Sequence, residues 1–331
     1  MTIAHAAPRK RKKGKIFFIL LAIVLVLAAA TAAIYTLSLG RSFDQGRTVV
    51  EDVFPDEGSR PEAPEAGSDA DKAQNILLLG SDTRGEISDE IDKVTGTRAD
   101  AIMVVHIPAE RDQVDVMSIM RDNWVPIDGH GHAKINAALA YGGVPLMVST
   151  VEHFIDARID HVAVIDFEGF EDLTDALGGV TITSDHAFSA GDYEFSKGPQ
   201  LLGGEEALAF VRERKSFSDG DYQRARNQQA YMKGVVDRVF SRDTLTNPKK
   251  ISDVVGSISP FMTVNEELDS SFLAGLGVEM RNVRGKDVRF FTSPTLGTGW
   301  EGNQSIVRPD WQRIDELREH FKNDTLEKYD P

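Results

Sequence analysis

Residues 16–37 run IFFILLAIVLVLAAATAAIYTL without one charged side chain. A helix needs roughly 20 apolar residues to cross the hydrocarbon core of a bilayer, so this run is long enough to span it. Beyond it the pattern turns polar. Residues 41–72, which include FPDEGSRPEAPEAGSDADK, hold few apolar positions and many Pro, Glu, Asp, Gly and Ala. That composition predicts a spacer rather than a packed element. From Asn75 short apolar runs begin. ILLLG at 76–80, AIMVVHI at 101–107, VDVMSIM at 114–120 and HVAVIDF at 161–167 read as buried strands. Pro108 and the charged turn 110–112 make the second and third a hairpin. KDVRFFT at 286–292 is a late strand candidate.

Helical patterns alternate with these strands. They cover 134–141 and 144–155, broken at Gly142-Gly143, and 170–177, stopped by Gly178-Gly179. Others cover 204–212 and 221–240, with further candidates near 247–258, 269–281 and 310–321. The order predicts an α/β fold, with a single mixed sheet flanked by helices (α-β-α) behind one N-terminal transmembrane helix. The expected organisation is a basic cytoplasmic segment over 1–15, the transmembrane helix over 16–37, a linker over 38–73 and one extracytoplasmic domain over 74–331.

Charge sets the orientation. Arg9, Lys10, Arg11, Lys12, Lys13 and Lys15 precede the apolar run, and no acidic residue occurs before Asp44. Cations on that flank keep it in the cytoplasm and send the rest across, which predicts a single-pass cell-membrane protein. The small residues 30–32 also resemble a signal-cleavage site, but the run exceeds the usual 7–15 residues of a signal h-region. Either reading places the remainder outside the cytoplasm. The chain carries −15 overall, and without the six flanking cations the remainder carries −21. So acidic a body is a poor partner for nucleic acid. With no cysteine, the chain has neither disulfides, a thiol nucleophile nor Cys-ligated zinc.

Against that acidic background, Arg and Asp recur together at strand ends. Ser81-Asp82-Thr83-Arg84 follows the first strand, Thr97-Arg98-Ala99-Asp100 precedes the second, and Arg121-Asp122 follows the third. Arg presents a planar fork suited to phosphate oxygens, and Asp is a hard oxygen ligand for Mg²⁺. Any one cluster alone reads first as an ion pair capping a strand, whereas recurrence at three strand ends shifts the balance towards a phosphoryl or pyrophosphoryl ligand with a divalent metal. Arg212 and Arg214 close an apolar helix, where the helix dipole also accounts for them. Arg224, Arg226, Asn227, Gln228 and Gln229 follow on the next. His130 and His132 flank a glycine and read as loop residues. Lys134-Ile135-Asn136 opens a helix after that loop, and Ser118 has no triad context.

The order of motifs resembles the LytR-CpsA-Psr family of cell-wall glycopolymer transferases. The stretches are NILLLGSDTR (75–84), TRADAIMVVHI (97–107), SIMRDNWVPI (118–127), KINAALAYGG (134–143), DHVAVIDFEGF (160–170), DALGGV (175–180), LGGEEALAFVRERK (202–215) and DYQRARNQQ (221–229). The resemblance implies transfer of a glycopolymer from a polyprenyl-diphosphate carrier to peptidoglycan through a phosphodiester bond. It implies Mg²⁺ (or Mn²⁺) on Asp82 and Asp100, and a pyrophosphate site of Arg84, Arg98, Arg121, Arg212, Arg214 and Gln228. It also implies catalytic roles for Asp82 and Arg121, and an apolar tunnel for the lipid. Met120 stands where the family usually has Pro, and Asn227 where it usually has Arg. A polyprenyl-diphosphate pyrophosphatase, and a non-catalytic binder or regulator of lipid-linked polymer, are the alternatives.

Overall fold

A computed structural model of the chain describes residues 34–81, 99–217 and 219–331. The expected span 16–37 therefore lies outside the described residues up to residue 33. Among the described residues no helix is long and apolar enough to cross a membrane. Helix α1, described over 34–46, leads to β1 (Thr48–Val50), a short α2 (Asp69–Lys72), β2 (Gln74–Ser81), β3 (Ala99–Ile107) and β4 (Val114–Ser118). A hairpin β5–β6 (Trp124–Ile127, Gly131–Lys134) precedes α3 (Ala137–Ile155), β7 (His161–Asp166) and α4 (Phe167–Ala176). Four short strands follow: β8 (Val180–Ser184), β9 (Phe188–Ala190), β10 (Tyr193–Phe195) and β11 (Gly198–Leu202). Then come α5 (Gly204–Arg212), α6 (Gly220–Val239), α7 (Arg242–Leu245), α8 (Pro248–Ile258), β12 (Met262–Asn265) and α9 (Ser270–Glu279). The chain ends with β13 (Val288–Thr292), the hairpin β14–β15 (Thr295–Glu301, Gln304–Pro309) and α10 (Trp311–Lys322).

Seven strands form one mixed sheet in the order β1-β12-β7-β2-β3-β4-β13. Strand alternation sorts its side chains into two cores. Leu77, Leu79, Ile102, Val104 and Met117 face one side, against Val148, Val151 and Ile155 of α3 and Ile314 and Leu317 of α10. Ile76, Met103, Val116 and Ala163 face the other, against Phe43 of α1, Met232 of α6, and Phe272, Leu276 and Met280 of α9. A third core joins α4, α5 and α6 to the small strands β8–β11.

The predicted strands at 76–80, 101–107, 114–120, 161–167 and 286–292 are all found, and 204–212 is α5. The expected break at Gly142-Gly143 is a kink within α3, where Gly143 takes φ 64°. Two expectations are corrected. Lys134 does not open a helix; it ends β6, whose partner Trp124 stands opposite it. Residues 38–73 are not a free spacer. β1 is the edge strand of the main sheet, and Phe43 and Val53 are buried. Arg60 reaches Glu152 of α3 at 2.6 Å, while Arg158 bonds the Pro61 carbonyl (2.8 Å) and pairs with Glu57 (2.6 Å). A few apolar anchors and two arginine forks thus hold down a segment whose composition alone could not fold.

Candidate active site

The pairing register brings several strand ends to one rim of the sheet. Ser81 at the end of β2 lies opposite Ala99 on β3 and Asp166 on β7. Ser118 at the end of β4 lies opposite Met103 on β3 and Thr292 on β13. Helix α6 is clamped over this rim. The Gln229 amide donates to the hydroxyls of Ser118 (3.1 Å) and Thr292 (2.9 Å), and Gln228 donates to the Asp100 carbonyl (3.5 Å).

Between sheet and helices lies a cavity of about 310 Å³. Its walls are apolar: Leu78 and Met103 from the sheet, Phe170 and Leu173 from α4, and Leu208 and Val211 from α5. Helix α6 contributes a single stripe of Arg224, Gln228, Tyr231, Met232 and Val235, the spacing of one helical face. The other end is charged. Asp100, Asp166, Arg121, Arg212, Arg214 and Arg224 all border the cavity there.

Each charged group is positioned by specific neighbours. Arg121 follows β4 in a tight turn, in which the Asn123 N–H donates to the Met120 carbonyl (2.9 Å) and the Asn136 N–H to the Arg121 carbonyl (3.1 Å). Its guanidinium pairs with Asp100, and its Nε is buried without a hydrogen-bond partner among the described residues. Lys134 lies 3.3 Å from Asp122, steadying the residue next to Arg121. The Arg212 guanidinium lies over the Phe167 ring at 4.4 Å. Arg224 pairs with Asp221 at 2.7 Å. Burial, and then the neighbouring Arg121, push the Arg224 guanidinium below its ordinary pKa. Asp166 caps α4 by accepting from the Gly169 N–H (2.8 Å), and burial raises its carboxyl pKa. The mouth therefore gathers four arginines against two carboxylates, a net positive charge, at the end of an apolar chamber. Such a shape fits an amphiphile with an apolar tail and a polyanionic head.

Of the residues expected from sequence, Asp100, Arg121, Arg212, Arg214 and Gln228 border this one cavity. Asp82, Arg84 and Arg98 lie outside the described residues. Arg224 is a site residue that the sequence reading did not select, although it sits four positions before Gln228 and so shares its helical face. Arg226 turns away, to Asp219 at 2.6 Å. Neither departure from the family pattern empties the site. Met120 is buried against Ala225 and Val307. Asn227 is buried too, donating to the Phe210 carbonyl (3.0 Å) and accepting from Gln223 (2.9 Å), and so ties α6 to α5. His130 stacks on Tyr141, with ring centroids 4.5 Å apart, in a surface hairpin. Among the described residues no three His, Asp or Glu side chains converge as a metal cluster.

The model of the LytR_cpsA_psr family matches residues 47–323. The chain belongs to this family. A relative from Bacillus cereus (strain AH820), called polyisoprenyl-teichoic acid–peptidoglycan teichoic acid transferase TagU, is 38% identical over 199 residues, or 60% of this chain. The match spans 62% of that relative's length. A TagU of the same description from Enterococcus faecalis is 29% identical over 94% of this chain and 98% of its own. Among solved structures, TagV of B. subtilis superposes with a TM-score of 0.63 at 27% identity, covering 78% of this chain and 99% of that one. TagT bound to LI-WTA does so with a TM-score of 0.62 at 26% identity, covering 82% and 98%. The family likeness thus extends over the docked segment from residue 47 onward.

Proposed function

We propose that this protein transfers a glycopolymer from a polyprenyl-diphosphate carrier to peptidoglycan, as an enzyme anchored in the cell membrane by residues 16–37 with its folded domain outside the cytoplasm. The observation that carries this reading is the single cavity that is apolar along its length and ringed by Arg121, Arg212, Arg214 and Arg224 at one end. It matches a lipid tail joined to a diphosphate. The names of the TagU relatives, which pair a polyisoprenyl-linked teichoic acid with peptidoglycan, support the same donor and acceptor classes.

In the reaction, a peptidoglycan hydroxyl oxygen attacks the phosphorus attached to the sugar. The bond from that phosphorus to the bridging oxygen breaks, and polyprenyl monophosphate leaves with the electron pair. The new bond is a phosphodiester, and the hydroxyl proton passes to a carboxylate. Such transfer is mostly positioning and charge neutralisation. Arg121, Arg212, Arg214 and Arg224, together with Arg84 and Arg98, hold the diphosphate, and Gln228 stands beside Asp100. The donor set fits Mg²⁺ (or Mn²⁺) shared with substrate. Asp100 offers a hard oxygen donor at the mouth, Asp82 would supply a second, and Mg²⁺ sites commonly combine one or two carboxylates with phosphate oxygens. When bound, the ion supplies charge neutralisation on the diphosphate. Asp82 either holds it or takes the proton.

The test is a reconstitution of the full-length protein with a polyprenyl-diphosphate-linked glycan and a short peptidoglycan acceptor. Ligated product should form, and Arg121→Ala and Asp100→Asn should reduce it sharply. Release of polyprenyl monophosphate and glycan phosphate without ligation would make the protein a pyrophosphatase. Binding of the donor without turnover would make it a carrier.

A further inference from the structure

Helix α9 is unusual for a surface helix. Ser270–Glu279 reads SSFLAGLGVE, with no charged side chain until its last residue. Phe272, Leu276 and Met280 pack inward. The outward face, however, is also apolar: Leu273 is 38% exposed and Val278 64%, and Ala274, Gly275 and Gly277 lie between them. With Ala274, Gly275 and Gly277 exposed as well, α9 shows solvent an uncharged face on a protein this acidic, which points to a covering partner.

Its position identifies the partner. Helix α1 carries the end of the uncharged run 16–37, and Ile34 and Leu37 on it are 68% and 61% exposed. α1 is fixed to the start of α9. Gly40 lies so close to Ser270 that an added Cβ would meet its hydroxyl at 3.0 Å, and the Asp44 carboxylate accepts from the Ser270 N–H (2.9 Å). The Tyr35 hydroxyl donates to the Pro248 carbonyl of α8 (2.6 Å). At about 1.5 Å per helical residue, Gly40 stands only about 4.5 Å beyond Leu37, and Asp44 about 10 Å. The start of α9 is thus held at roughly head-group depth. The charges around it also suit a lipid surface. Exposed Arg281 and Arg284 donate only to backbone carbonyls among the described residues. Of the acids nearby, Asp269 caps α9, Glu279 pairs with Arg111 at 3.0 Å and Asp287 accepts from the Arg284 N–H (2.9 Å).

Resting on the membrane-anchored reading given above, we infer that the outer face of α9, with Ile34 and Leu37 of α1, lies in the outer-leaflet interface and docks the domain on the bilayer. This is the way an interfacial helix binds, by an apolar face flanked by cations. The orientation also serves the site. The inward residues of α9 share one core with Met103 and Met232, which line the apolar chamber. A lipid tail can then pass from the bilayer toward the chamber beneath α9 without crossing water.

The chain has no cysteine, so Val278→Cys, Leu273→Cys and a control, Gln312→Cys on the opposite sheet face, each give one labelling site. The full-length variants carry an environment-sensitive fluorophore and are reconstituted into vesicles containing anionic lipid and a spin-labelled lipid quencher. Strong quenching at 273 and 278, several-fold above that at 312, is expected, together with flotation of the protein with the vesicles after an alkaline wash. Flotation without quenching at 278 overturns the docking and leaves the anchor standing. Loss of flotation overturns the anchor and the docking with it. Concentration-dependent cross-linking through 278, without lipid quenching, assigns the face to a second copy and also overturns it. Leu273→Asp/Val278→Asp should slow transfer from a long-chain donor several-fold and leave a short-chain, water-soluble donor unaffected; equal rates on both donors speak against the path beneath α9.

Discussion

Arg60 tests whether the segment between the apolar run and the domain is part of the folded body. Its guanidinium reaches Glu152 through two nitrogens, at 3.0 and 2.6 Å, and also donates to the Ile159 carbonyl at 2.7 Å. The Glu152 side chain is fully buried, and that of Arg60 is 13% exposed. Apart from Arg60, the carboxylate is served by the Ile159 N–H, at 2.9 Å. Arg60→Ala therefore leaves a charged oxygen pair out of water with one backbone donor. Removing one partner of a buried pair costs about 3–5 kcal/mol, whereas an exposed pair is worth about 0–1 kcal/mol. The variant should lose about 3 kcal/mol or more in urea unfolding of the detergent-solubilised full-length protein. Adding Glu152→Gln removes the orphaned charge and keeps an acceptor for Ile159, so the double variant should recover much of the loss. Hydrogen exchange over 48–54 should accelerate in Arg60→Ala, since β1 follows the same docking. A loss below about 1 kcal/mol, with no recovery in the double variant, would refute the buried-pair argument and return the segment to a spacer.

Three further outcomes follow from the site and its supports. Arg224→Ala should lower kcat/KM for transfer by about 10²–10³-fold, the usual cost of one donor to a developing negative charge, and Arg224→Lys should recover only part because it restores charge without the fork; an unchanged rate removes Arg224 from the site. Burial raises the Asp160 carboxyl from 3.8 to about 6, against the Asn75 N–H bond and Arg60, which lower it. The folded state then holds this proton more tightly than the unfolded state does. Stability from this group is present below about pH 4 and is lost as pH rises through about 6, by about 3 kcal/mol at most. Asp160→Asn should flatten that part of the stability–pH curve, and an identical curve for both proteins sinks the assignment. Asn227→Ala should cost about 1–3 kcal/mol of stability by leaving the Phe210 carbonyl unpaired, while KM for the donor holds steady at a temperature where both proteins are folded; a raised KM would instead place Asn227 on the substrate.

The strands β2, β3, β4 and β7 were legible because each is dominated by apolar residues on both faces, as a strand buried on both sides is, with only an isolated polar residue such as Asp115 or His106 inside. The elements that escaped lack that signal. β5 carries Pro126 and β6 reads GHAK, so neither shows alternation, and they form only because each strand supplies the other's backbone partners. β14 is Gly-rich, and its hairpin gains support from the Asn123–Val307 bridge and the hydrogen bond between Tyr222 and Thr295 (2.7 Å). β1 escaped because its partners lie far along the chain: Thr48 pairs with Thr263, and Arg60 with Glu152. No local window contains such information. Arg224 is a different case. Its place follows from helical spacing against Gln228, so that part of the site was readable from sequence. Asn227 marks the opposite limit, since a residue matched to a cationic position turned out to bond the helix behind it.

The charge distribution bears on how a substrate reaches this mouth. The chain beyond the basic flank carries −21, so a polyanionic polymer in solution meets a repulsive body. At physiological salt that repulsion fades within about 8 Å, and so does the attraction of the arginines. Electrostatic capture from solution therefore offers little range. Near the mouth the balance reverses: burial first, and then the neighbouring Arg121, depress the Arg224 pKa, and a diphosphate arriving there would offset the repulsion between the two guanidiniums. A site with short-range attraction inside a repelling surface works best on a ligand delivered along a path that brings it close before charge matters. On the proposed docking, a lipid carrier diffusing in the leaflet beneath α9 would take that path. Under the proposed function, the apolar chamber would supply affinity for the tail, and the arginines would favour the diphosphate over the monophosphate that leaves. On that reading, weaker retention of the monophosphate would follow from its smaller charge and would let the spent carrier return to the bilayer after transfer.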